Sequence, residues 1–171
     1  MGMVGSLLRV NLTELQNYIQ DSRLLVEVLF PESDHLSESN HPNLLELDKM
    51  WGGVCFLFTK HSFSDADDIL PPLSWIFLSG KPIKELDFGC GPAFYLMPEQ
   101  VIELNKILEN ISVEDLKQNF NSQVMMDEGV YPAIWDKDPK ILEFLLEYAI
   151  NLKSFYNEAA INQQAVITYL N

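Results

Sequence analysis

Cations are scarce in this chain. Of 171 residues, 11 are lysine or arginine against 25 aspartate or glutamate, a formal charge of −14 at pH 7. Neutralising nucleic-acid phosphates takes clustered Lys and Arg, and holding an anionic lipid surface takes a basic segment. Composition therefore excludes both partners. Residues 1–80 and 81–171 each carry −7, so the acidity belongs to a folded surface and not to a disordered tail. Such a surface speeds encounter with a basic protein.

Other things are missing too. Cys55 and Cys90 are the only cysteines, and their apolar or glycine-rich neighbours predict reduced thiols in a cytoplasmic protein rather than a bridge. No apolar run approaches the ~18 residues of a membrane span. The start, Met1-Gly2-Met3-Val4-Gly5-Ser6, lacks the basic flank and long apolar core of a secretory signal. Gly2 with Ser6 fits the myristoylation pattern formally, but the apolar stretch there reads as a buried strand. Neither a Gly-x-Ser-x-Gly elbow nor a phosphate loop with its lysine occurs.

What is present suffices for one core. A hydrophobic content of 47% with 11% aromatics supports a single domain over residues 1–171, which buries roughly 70% of its extended surface on folding. Residues 3–10 read as a first strand. Asn11, with Glu14 three residues on, forms a capping box for a helix carrying Leu12, Leu15, Tyr18 and Ile19. Ser22 is a second cap, and the next apolar run stops at Pro31. Pro31 to Asn43 is polar and reads as a loop. Residues 44–59 have an ambiguous period, with Leu44, Leu47, Met50 and Trp51 at helical spacing and Gly52-Gly53 as an interruption. Two short helices or one kinked helix are expected there. A short apolar helix is expected over 73–78, and a strand over 93–97. Pro98 opens the next helix, through Leu108, and Ser112 with Asp115 caps another. The longest helix begins at Asp138-Pro139, with Ile141, Leu145, Tyr148, Leu152, Phe155 and Ala159 as its apolar stripe, and a final strand spans 165–170. Strands separated by groups of helices without regular alternation predict an α+β fold, several helices packed on a small mixed or mostly antiparallel sheet.

Candidate chemistry is thin. Asp87-Phe88-Gly89-Cys90-Gly91-Pro92-Ala93 resembles the glycine-rich loop of S-adenosylmethionine-dependent methyltransferases. Too little chain follows it for the rest of a doubly wound sheet, and the residues after Pro92 read as extended rather than helical, so a structural turn is the better account. His35, His41 and His61 with Asp34, Asp65, Asp67 and Asp68 offer metal-ligand atom types, yet no His-x-x-x-His or tight Cys/His spacing collects them. Solvated loops explain them better, and neither a metal nor a cofactor is expected. Cys55, between Val54 and Phe56, reads as a packed small hydrophobe rather than a nucleophile. Two aromatic clusters remain, Asp48-Lys49-Met50-Trp51 and Tyr131-Pro132-Ala133-Ile134-Trp135. Such residues line grooves that bind peptides or small ligands, and equally they pack cores with their polar ends satisfied.

At these clusters the chain resembles a known family. Met1-Gly2-Met3, Leu47-Asp48-Lys49-Met50-Trp51 leading to Leu57-Phe58-Thr59, Gly91-Pro92-Ala93-Phe94-Tyr95-Leu96 before Pro98-Glu99-Gln100-Val101, Tyr131-Pro132 with Trp135, and Phe155-Tyr156 with Ala159-Ala160 occur in the order of the YfbM-like family, small bacterial proteins with a domain of unknown function. The resemblance spans nearly the whole chain. It implies one α+β domain with Gly91-Pro92 as a turn before a strand, and it carries no activity, cofactor or catalytic residues. Met97 departs from it, standing where a Ser or Thr would cap the next helix, as do Cys90 and Gly52-Gly53.

The function expected is a cytoplasmic, non-enzymatic binding or interaction protein, immunity-type or regulatory, with a basic protein as partner. Its candidate ligand- or partner-binding residues are Asp48, Lys49, Trp51, Tyr95, Tyr131 and Trp135. The alternative is a small enzyme with a pocket near Lys49 and Trp51, or a degenerate methyltransferase using Gly89–Gly91.

Overall fold

The computed structural model describes residues 2–31 and 41–171. The central strand explains the architecture. Strand β5 (Ala165–Leu170) is buried along its whole length, the pattern of a strand covered on both faces. It pairs antiparallel with β1 (Gly5–Val10) on one side and β4 (Pro92–Leu96) on the other. β2 (Leu44–Asp48) and β3 (Lys81–Asp87) complete a sheet of order β2-β1-β5-β4-β3, with antiparallel neighbours throughout.

Alternation along the strands divides the core in two. Leu8, Val10, Ile83, Ala93, Ala165, Ile167 and Tyr169 face α1 (Leu12–Gln20) and α2 (Ser22–Leu29), which contribute Leu15, Tyr18, Leu25 and Leu29. Asn11 caps α1, with its Oδ1 accepting from the Glu14 N–H and the Glu14 carboxylate accepting from the Asn11 N–H. Leu7, Leu96, Val166 and Leu170 face the other way. Against them pack α3 (Trp51–Thr59), α4 (Pro98–Asn110) and α7 (Ile141–Ile161), with α5 (Val113–Asn119) and α6 (Ser122–Asp127) beyond. Two 3-10 turns, Phe63–Asp68 and Leu73–Ile76, join α3 to β3. The result is an α+β fold of helix, sheet and helix layers.

Several sequence expectations change. Leu44–Asp48 is a strand, not the start of a helix: Leu45 and Leu47 turn into the core while Glu46 and Asp48 are exposed, and that period of two outweighs the i, i+3 spacing of Leu44 and Leu47. Strand β3 was not expected. Its buried residues Ile83 and Leu86 are three apart because the register shifts between Pro82 and Asp87, which removes the alternation that marks a strand. Residues 73–78 make only a single 3-10 turn.

Gly52-Gly53 does not interrupt α3. This helix is buried on every side, as an all-round apolar helix must be. A Cβ on Gly52 would lie 2.5 Å from the Tyr131 carbonyl oxygen, and one on Gly53 would lie 2.3 Å from the Trp135 ring. The two glycines are where another segment comes closest. At Met97, the Gln100 side chain accepts from the Met97 N–H, covering the donor at the entry to α4.

Candidate functional site

Residues 130–135 lie across the N-terminal half of α3 and carry one of the two aromatic clusters. Trp135 is 1% exposed, and its Nε1–H donates to the Val130 carbonyl at 2.8 Å. Its polar end is therefore satisfied inside the core. The Tyr131 ring stacks on Trp51, centroids 5.2 Å apart and planes at 21°. Phe77 and Phe63 flank the same indole, each at 5.7 Å.

The stacked pair grips the chain's own beginning. The Tyr131 hydroxyl accepts from the Met3 N–H at 2.8 Å, and Trp51 Nε1–H donates to the Met3 carbonyl at 3.2 Å. One residue thus has both its backbone N–H and its backbone C=O bound by the rings. Beyond it, Val4 and Asn171 exchange backbone hydrogen bonds, while Gly2 lies against the Lys49 stem and the Tyr131 hydroxyl. Ser6 is buried in β1, so the formal acylation pattern runs into a strand.

The candidate residues thus separate. Trp51, Tyr131 and Trp135 come together within the core, with Lys49 exposed at the edge of the group. Asp48 is exposed at the end of edge strand β2, in a left-handed conformation (φ 48°) that aspartate tolerates well. Tyr95 pairs with Lys81 and Ile167 and faces α1 and α2. It lies across the sheet from the others.

Asp48 has company that sequence spacing does not reveal. The Tyr148 phenol, on α7, is held above its ordinary pKa first by burial and then by the fields of Asp48, Glu147 and Glu46. Strand β2 packs beside α7 and so places the Asp48 and Glu46 carboxylates, with neighbouring Glu147, within electrostatic reach of that phenol. Residues 46–48 and 147–148 are distant in sequence, and no motif links them.

The remaining chemistry is inert or scattered. Burial pushes the Cys55 thiol up to about 12, and a thiol of that kind supplies almost no thiolate at neutral pH. Cys90 is exposed on the β3–β4 hairpin, where the Asp87 carboxylate accepts from the Gly89 and Gly91 N–H groups. That glycine run is a hairpin turn leading into β4, without the following helix that a methyltransferase loop requires. Among the described residues, no three His, Cys, Asp or Glu side chains converge as metal ligands. His41, His61, Asp65, Asp67 and Asp68 are among those residues; Asp34 and His35 lie outside them. Among the described residues no helix is long and apolar enough to cross a membrane.

A family model for a domain of unknown function, DUF1877, matches residues 1–169. The chain belongs to that family. Its structure is similar to the crystal structure of YfbM, a protein of unknown function from Escherichia coli, with a TM-score of 0.71 and 16% identity over 98% of this chain and 99% of that one. At that identity the likeness is one of fold. No curated protein matches the sequence.

Proposed function

We propose that this DUF1877 protein is a non-enzymatic interaction protein, of immunity or regulatory type, which binds a basic protein through the acidic edge formed by β2 and α7. The observation that carries this reading is the packing of α7 beside β2, which puts the exposed Asp48, Glu46 and Glu147 carboxylates within electrostatic reach of Tyr148. Three carboxylates near a half-buried ring make a local negative potential beside an aromatic surface, and that combination suits a Lys- or Arg-rich partner. The whole-chain charge of −14 adds long-range attraction of the same sign. Asp48 is in this reading a partner contact, Lys49 borders it, and the rings of Trp51, Tyr131 and Trp135 hold the turn that presents them.

The test is affinity capture with the protein as bait. The expected result is retention of a basic protein at low ionic strength, its release as salt is raised, and its loss from an Asp48→Asn/Glu147→Gln bait. A reading frame for a toxin-like basic protein beside the gene supports the immunity version. Failure to retain any protein at low ionic strength overturns the reading.

A further inference from the structure

The chain between α3 and β3 folds into a groove separate from the acidic edge. Phe63, Ile69, Pro71, Phe77 and Leu78 give it apolar walls, and its volume is about 340 Å³, at the small end of ligand pockets. Beside it lies a smaller space of about 30 Å³ that shares Phe63, Ile69, Ser74 and Phe77 with it, room for about one water. The two polar functions at the groove are of distinct kinds. Ser74 and Ser79 bring hydroxyl groups, and Asp67 brings a carboxylate that forms no ion pair among the described residues.

Two further features set this place apart from an ordinary surface crevice. Phe63 is 46% exposed yet held edge-on against Trp51, so a large ring is fixed at the mouth instead of being buried. Leu78, on the wall, has φ 47°, a conformation costly for a bulky side chain. It is kept there by its N–H, which donates to Thr168 Oγ1 of the central strand at 3.0 Å. Backbone strain of this kind persists where surrounding structure imposes it, and binding sites are where it collects.

We propose that this groove binds a small amphipathic ammonium compound, with an aryl or branched alkyl body lying against Phe63 and Phe77 and its cationic end at Asp67. Charge complementarity selects the occupant: the free carboxylate at the rim and the −14 chain favour a cation, and the apolar walls require more than a simple ion. This proposal does not rest on the basic-partner reading, and the two fail separately, since the groove and the β2–α7 edge share no residue.

The probe is 2-phenylethylammonium, titrated into 15N-labelled protein at low ionic strength and followed by amide chemical shifts. Expected shifts are confined to residues 63–79. Methylammonium, which has the charge without the ring, and phenylacetate, which has the ring with the opposite charge, leave those amides unmoved at equal concentration. Asp67→Asn weakens the probe about fivefold, the factor for one charge pair ~4 Å apart in water. Phe63→Ala, at an exposed position, weakens it by roughly tenfold through the lost ring contact. Scattered or absent shifts, equal binding of phenylacetate, or an Asp67→Asn variant that binds as the parent does would overturn the assignment.

Discussion

Trp51 and Tyr131 stack with ring centroids 5.2 Å apart, and between them they bind both backbone polar groups of Met3. The two aromatic clusters of the sequence are thus one structure, filled by the chain's own first residues. Tyr131→Phe keeps the stack and removes only the acceptor. It is expected to destabilise the protein by about 1 kcal/mol, the usual net worth of a hydrogen bond, and to speed exchange of the Met3 amide. Urea denaturation and native-state hydrogen exchange measure the two effects, and unchanged Met3 protection contradicts the clamp.

At Gly53 an added methyl has nowhere to go. Its Cβ would meet the Trp135 ring at 2.3 Å, and that indole is buried and tethered to the Val130 carbonyl. Overpacking of this kind costs about 1–3 kcal/mol, more than the ~1 kcal/mol that alanine gains over glycine in a helix. Gly53→Ala should therefore lower the denaturation midpoint. Combining it with Trp135→Leu should destabilise less than the two single changes added together; strict additivity would show that the two sites do not touch.

The cysteines should differ sharply in reactivity. With its thiol pushed up to about 12 by burial, Cys55 should resist alkylation by iodoacetamide at pH 8 in the native protein, while exposed Cys90 reacts. Mass spectrometry should find one label under native conditions and two in denaturant. Native labelling of Cys55 contradicts its placement inside α3's packing.

High pH should unfold the protein. Burial raises the Tyr169 phenol to about 12 and raises Tyr156 as well, its hydroxyl donating to the Ile76 carbonyl. Groups with raised folded pKa values contribute stability that is whole below the unfolded value of about 10 and is lost as pH climbs toward the folded value. Stability should be flat from neutrality to about pH 9 on this account and then fall through pH 10–12. Tyrosinate absorbance should show Tyr156 and Tyr169, both buried, ionising only with loss of helical circular dichroism. Smooth titration of every tyrosine in a folded protein would contradict their burial.

Much of the fold was legible because local chemistry and tertiary packing agree. The Asn11 and Ser112 capping boxes, the apolar stripe of α7 and the largely apolar, β-branched run of β5 each carry their own signal. β3 carries none, since its bulge spaces Ile83 and Leu86 like helix residues, and β2 is masked because Leu47 fits two periods, helical with Leu44 and alternating with Leu45. At the candidate site, residue type identified Trp51, Tyr131 and Trp135 as a group, but spacing could not say that Gly52-Gly53 admits the 131–135 segment. Tyr95 was drawn in by its neighbours in sequence and belongs to the other face of the sheet. Tyr148 and Glu147 meet Asp48 only through the packing of α7 beside β2, a long-range arrangement that no local pattern records.

We propose that a basic partner binds at the Asp48–Glu147–Glu46 edge. The most direct measurement is the association rate of the captured partner as a function of ionic strength, for the parent and for Asp48→Asn/Glu147→Gln. Steering by a charged patch acts on the rate and is screened within a Debye length of about 8 Å at 0.15 M salt. Association several-fold slower for the variant at low salt is expected, with the two curves converging at high salt. Equal rates at every ionic strength, or the absence of any retained partner, would contradict it.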